Sequence, residues 1–161
     1  MSLTFPLPPP QVPITLYFMT HAYFCLYHSL ANVLIRRVRN QFAMHGVLAQ
    51  GLAEAALVFI LSYATAYGET LTIAHFPYYV FKNRSAMYRV GSLFYAIYFF
   101  VSFPMYFRME ENAKKPYTLW RVAVDALAAG MMVTCLLDFW RLLFGSIDGG
   151  SLSSDLPWGP I

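Results

Sequence analysis

A chain of 161 residues that is 58% hydrophobic and 12% charged departs from an ordinary soluble domain, where about a quarter of the residues are charged. Its net charge of +3 comes from Lys and Arg scattered among short connecting segments, which argues against a nucleic-acid partner and for membrane-flanking anchors. Cys25 and Cys135 both fall in apolar stretches, where a thiol behaves as a small hydrophobe, and no disulfide framework or zinc motif can be built from them.

In chain order, residues 1–12 form a Pro-rich lead-in, with Pro6, Pro8, Pro9 and Pro10 favouring an extended entry to the first helix. Four apolar runs follow, at Pro13–Ile35, Val47–Tyr67, Met87–Phe107 and Val122–Phe144. Each approaches the roughly 20 apolar residues that a bilayer-crossing helix needs. The first run has no basic segment before it and ends in Arg36, Arg37 and Arg39, so it is expected to remain in the mature protein rather than act as a signal peptide. Basic residues outnumber those opposite in the segments after the first and third runs (Arg36, Arg37, Arg39, Arg108, Lys114, Lys115 and Arg121 against Lys82, Arg84, Arg89 and Arg141), which favours both termini on the non-cytoplasmic side. Residues 145–161, rich in Gly, Ser and Pro, read as a tail outside the membrane with Trp158 at the interface. The expected fold is therefore all-α: a polytopic integral membrane protein with about four transmembrane helices in a bundle over residues 13–144.

Polar residues inside the runs are the informative ones, because a charge at the bilayer centre costs about 2.5–3.5 kcal/mol even on the lenient insertion scale. Glu54 has no cation among its helical neighbours Gln50, Gly51, Leu57 and Val58, so it is neutral, paired with another helix, or facing a wet cavity. A desolvated carboxyl keeps its proton and can donate it at neutral pH; the structural alternative is an interhelical hydrogen bond to a group such as Asn32. Glu69 is rotated from Glu54 by roughly 60° in a regular helix, so the two can share a face at different depths; it also reads as a wetted helix end before Pro77. Asp125 follows Arg121 by four residues and Asp138 precedes Arg141 by three, spacings at which local ion pairs are expected.

In the first run His21, His28 and Asn32 lie along one helical stripe. A haem site is disfavoured because His21 and His28 point the same way about 10.5 Å apart, and the pair lacks the spacing of a helical metal motif. The stripe is then an interhelical polar seam or a proton-handling face with a neutral imidazole as base. The third run carries Phe94, Tyr95, Tyr98, Phe99, Phe100 and Phe103, and the segment before it adds Phe76, Tyr78, Tyr79 and Phe81. Such a density of rings packs helices, or lines a pocket for a flat polycyclic ligand and stabilises a developing cation.

The run HFPYYVFKNRSAMYRVGSLFYAIYFFVSFPMYFRMEE, His75 to Glu111, resembles the central signature of the cycloeucalenol cycloisomerase family. Further similarity lies in Thr20-His21, Tyr27-His28, Asn32, Arg36-Arg37, Glu54-Ala55-Ala56, Leu61-Ser62-Tyr63, Tyr67 to Thr70, Arg121 to Leu127, Asp138 to Arg141 and Leu156-Pro157-Trp158. The resemblance covers about Thr4 to Trp158 and corresponds to the C-terminal portion of the family, whose members extend further at the amino end with additional spans. His75 stands where the family pattern holds Asn, and Val80, Lys82 and Asn83 replace a more acidic stretch.

The resemblance implies an integral membrane isomerase of the endoplasmic reticulum, acting in phytosterol synthesis without a cofactor or metal. Its substrate would be the sterol cycloeucalenol, whose 9β,19-cyclopropane ring it opens to give obtusifoliol. Protonation at C19, a cation-like centre at C9 and loss of the C8 proton require an acid, an electron-rich wall and a base. The residues suggest Glu54 or Glu69 as the acid and His28 or His21 as the base. They also suggest Asn32, Tyr95, Tyr98 and Phe99 as substrate-binding groups, with Asn32, Tyr98 or Ser92 anchoring the hydroxyl. The alternative is a truncated, non-catalytic membrane protein that binds sterols or scaffolds other sterol-biosynthesis enzymes, its polar residues acting as interhelical glue.

Overall fold

The structure, a computed structural model, describes residues 14–75, 84–110 and 115–145. The lead-in before Ile14, the aromatic segment 76–83 and the tail beyond Gly145 lie outside the described residues. Every element among them is helical: α1 (Ile14–Phe42), a 3-10 turn (Ala43–His45), α2 (Val47–Ala74), a short α3 (Arg84–Ala86), a π turn (Met87–Gly91), α4 (Ser92–Glu110) and α5 (Leu119–Phe144). The all-α membrane bundle expected from the apolar runs is the architecture found.

Among the described residues, three helical segments are long and apolar enough to cross a membrane: Val47–Ala74, Arg84–Met109 and Leu119–Phe144. The first expected span differs. α1 has 29 residues, ample length for a crossing at 1.5 Å per residue, but His21, His28, Asn32 and the tyrosines at 17, 23 and 27 dilute its apolar content. It also continues to Phe42, so Arg36, Arg37 and Arg39 lie in the helix rather than in a loop. Gly46, at φ 88°, then reverses the chain in a region that side chains with a Cβ avoid. Its carbonyl accepts the Gln50 amide at 3.1 Å to begin α2.

α1 and α2 form an antiparallel hairpin, and α4 packs against both. Ala31, Ala66, Ala96, Ser62 and Ser92 are buried at this three-helix junction, with Phe99 and Phe103 at 0% and 1% exposure. The logic is that of membrane interiors, where lipid tails are as apolar as Leu and helices associate through close packing of small residues. Here the small side chains let backbones approach while two Phe rings fill the remaining space. α5 packs against α4 and against no other described helix. Its entry is capped by the Thr118 hydroxyl, which accepts the Arg121 amide at 3.3 Å. Leu127, Met131 and Leu142 on α5, like Leu52 and Phe59 on α2, are exposed, as expected of lipid-facing positions.

Asp125 does not use the local partner its spacing suggested. Its carboxylate accepts from Arg108 of α4 at 2.7 Å, while the Arg121 guanidinium lies 4.0 Å from the centre of the Tyr117 ring. A bond between helices fastens α5 to α4, which an intrahelical pair could not do.

Candidate functional site

The functional side chains are brought together by helix register. The Arg39–Glu54 pair fixes α1 against α2, the hydrogen bond from Ser92 to Thr70 fixes α4 against α2, and a His28–Ser102 contact fixes α1 against α4. Tyr27, His28, Glu69, Tyr95, Phe99, Ser102 and Phe103 thereby come together along one stretch of the contact between three helices.

His28 is the best-defined member, 9% exposed. Its Nδ1 lies 2.7 Å from the Phe24 carbonyl oxygen and its Nε2 lies 2.9 Å from Ser102 Oγ. A carbonyl can only accept, so Nδ1 carries a proton and, in the neutral ring, Nε2 presents its lone pair to the Ser102 hydroxyl. Rings enclose the imidazole: Phe103 and Tyr106 meet it edge-on at 5.1 and 5.3 Å between centroids, and Phe24 stacks at 5.9 Å. The result is an oriented base with an electron-rich enclosure.

Phe99 touches His28 on one side (6.5 Å between centroids) and Tyr27 and Tyr95 on the other (6.0 and 5.4 Å). The Glu69 carboxyl is an electrostatic neighbour of the hydroxyls of those two tyrosines. Tyr98 adds a further ring 5.5 Å from Tyr95. Glu69 is only half-buried, and its carboxyl shares this cluster with two phenols. The buried Phe99 ring thus contacts both the imidazole and the two tyrosines beside Glu69.

The remaining sequence candidates lie elsewhere. Glu54 is paired with another helix, one of the three situations its sequence left open, but the partner is Arg39 rather than Asn32. Arg39 Nε donates to Oε1 and a terminal guanidinium nitrogen to Oε2, both at 2.8 Å, and Gln50 donates to Oε1 at 3.1 Å. His21 is exposed on α1, its Nε2 3.8 Å from Cys25 Sγ. Asn32 is buried one turn beyond His28, and its Oδ1 has no hydrogen-bond partner. Ser92 is fully buried and donates to Thr70 at 3.1 Å. Among the described residues no group of three or more His, Cys, Asp or Glu is placed to hold a metal ion.

Ser102, Tyr27, Phe24 and Tyr106 escaped sequence reasoning as working parts of the site. Ser102 is a small polar residue inside an aromatic run, and its partner is 74 positions away. Only the i, i+3 and i, i+4 stripe linking Phe24, Tyr27 and His28 offered a cue.

No family model and no solved structure matches the chain. Among curated proteins, it is 52% identical over 153 residues to cycloeucalenol cycloisomerase of Arabidopsis thaliana, an alignment covering 92% of this chain and 55% of that relative. The chain thus spans about half the length of the curated relative it matches, and across almost all of its own length it is similar to cycloeucalenol cycloisomerase.

Proposed function

We propose that this chain carries the chemistry of a sterol isomerase of the endoplasmic reticulum membrane, opening the 9β,19-cyclopropane ring of cycloeucalenol to give obtusifoliol. The observation that carries the reading is the enclosure of His28 by aromatic rings, one of which, Phe99, also packs on Tyr95 beside Glu69. Glu69 gives its proton to C19, the C9–C19 bonding pair takes up that proton, and positive charge develops at C9. Phe99, Phe103 and Tyr95 face this charge with their rings. His28 Nε2 exchanges the Ser102 hydroxyl for the C8 hydrogen and removes it, and the C8–H electrons close the C8–C9 double bond. One proton enters and one leaves, so the sterol is isomerised without an external reactant.

Two features favour Glu69 over Glu54 and His28 over His21. Both oxygens of Glu54 already accept bonds from a guanidinium, the arrangement of a carboxylate with no proton to give, whereas Glu69 has phenols for neighbours. His28 is buried among rings where His21 is exposed. The test is expression of the chain in yeast and incubation of its microsomes with cycloeucalenol, with obtusifoliol measured by gas chromatography and mass spectrometry. Glu69→Gln and His28→Gln are expected to abolish product that the parent chain forms; full product from both variants would refute the assignment.

A second reading, a non-catalytic sterol-binding or scaffolding protein that works beside other sterol-biosynthesis enzymes, is favoured by the close packing of Phe99 and Phe103. On that reading the His28–Ser102 bond is interhelical glue, and no variant of the chain forms obtusifoliol.

A further inference from the structure

A cavity of about 420 Å³ opens on the other side of the α2–α4 seam, lined by Tyr63 and Tyr67 of α2, Ser85 of α3, and Tyr88 and Arg89 of the π turn. Around α2, Thr70 lies between Tyr67 and Glu69, and its hydrogen bond with Ser92 closes the seam between this cavity and the Glu69 cluster. None of the sequence candidates for catalysis or binding lies in it. Its volume is within the 300–1,000 Å³ of small-molecule sites.

The lining has two chemistries. Tyr63 and Tyr67 stack at 6.0 Å and 26°, and Tyr67 meets Tyr88 at 6.2 Å with the rings tilted by 51°, so three neighbouring rings give the cavity an aromatic side against which a rigid apolar body can pack. The Arg89 guanidinium and the Ser85 hydroxyl supply polar donors at the end where the span Arg84–Met109 begins, the depth at which Tyr and Arg sit in a membrane interface. No carboxylate is among the lining residues, so the polar end suits a group that accepts hydrogen bonds. The π turn contributes two of the five lining side chains, and such turns frequently occur where a helix departs from regularity to shape a site.

We infer that this cavity docks the hydroxyl-bearing end of a flat polycyclic lipid, the Tyr63, Tyr67 and Tyr88 rings packing against its ring system while Arg89 and Ser85 donate to its hydroxyl oxygen. The inference rests on the sterol reading above and adds to it a receiving site at the membrane interface, separate from the Glu69–His28 cluster. An aromatic side with a single polar end suits a rigid ring system that carries one hydroxyl. A phospholipid would engage Arg89 through its phosphate and set only flexible acyl chains against the three tyrosine rings.

The test is equilibrium binding of radiolabelled cycloeucalenol to the full chain in phosphatidylcholine nanodiscs, for the parent chain and for Tyr88→Ala, Tyr88→Phe and Arg89→Gln. Tyr88→Ala is expected to weaken binding roughly twofold to tenfold, the range of one aromatic contact, and Arg89→Gln about tenfold or more, the range of a charge-assisted hydrogen bond. Tyr88→Phe, which keeps the ring, should bind as the parent does. The parent chain should also bind the 3-acetate of the same sterol more weakly, with Arg89→Gln narrowing that difference. Unchanged sterol binding in Tyr88→Ala and Arg89→Gln would overturn the inference while leaving the isomerase reading intact. It would equally be overturned if these variants lost only affinity for nanodiscs carrying phosphatidic acid.

Discussion

Replacing Glu54 by Gln separates a structural role from the catalytic one that its sequence also allowed. Glu54 accepts three hydrogen bonds, two from Arg39 of α1 and one from Gln50, and its side chain and that of Arg39 are 19% and 34% exposed. A fully exposed pair contributes about 0.2–1 kcal/mol, and breaking a fully buried one costs about 3–5 kcal/mol. Interhelical hydrogen bonds in a membrane average about 0.6 kcal/mol and reach about 1.7. A bidentate pair of intermediate exposure therefore belongs near the top of the membrane range, and a double-mutant cycle of Glu54→Gln with Arg39→Gln should yield a coupling of about 1–2 kcal/mol. The assay is unfolding by SDS in mixed micelles, read by circular dichroism, alongside conversion of cycloeucalenol by microsomes. Glu54→Gln should shift the unfolding midpoint down while leaving turnover within about threefold of the parent, because removing a proton donor would instead lose about 100-fold or more. An unfolding curve superimposable on the parent, with turnover abolished, would refute this account and make Glu54 the acid.

Three further outcomes follow from the same contacts. Phe99→Ala removes a fully buried ring at the three-helix junction and should cost about 3–5 kcal/mol, seen as loss of folded protein in detergent; a change below 1 kcal/mol would mean the junction is not the core. Ser102→Ala withdraws the hydroxyl facing His28 Nε2 and should change stability by only about 0.6 kcal/mol. Its turnover should fall less than that of His28→Gln, as expected of a group that orients the base rather than acting on the sterol. Asp125→Asn and Arg108→Gln should each cost no more than about 1 kcal/mol, because Arg108 is 52% exposed. The double variant should be no worse than either single one, which a cycle of unfolding midpoints would check.

What the sequence revealed was the part governed by composition and period. The apolar runs at 47–67, 87–107 and 122–144 mark helices because a membrane admits little else, and the observed α2, α4 and α5 contain or closely overlap them. The first run was misjudged at its end. Three arginines in four residues look like an interfacial loop, yet they continue the helix, and one reaches sideways to Glu54. Partner choice was not legible either. Arg121 is the nearer cation to Asp125 along the chain, but Arg108 on the neighbouring helix pairs with it, and His28 finds Ser102 across the whole of α2. Such contacts depend on which helix faces which and at what register, and a single sequence encodes these only through packing of side chains far apart in the chain.

The helix least able to cross a membrane on apolarity is also the one that carries His28 and Tyr27 of the site. α1 brings His28 to Ser102 and Arg39 to Glu54, so these two polar side chains are answered by groups on α4 and α2 instead of being left to lipid. Intramembrane polar side chains persist where the bundle satisfies them, and they mark function because nothing else repays their desolvation. Asn32, one turn beyond His28, is buried with an Oδ1 that no protein group meets. An amide oxygen so placed beside an oriented imidazole suits a seam that receives a polar ligand atom or an ordered water. The shortfall of α1 in apolar residues and the chemistry assigned to this site thus have one physical origin.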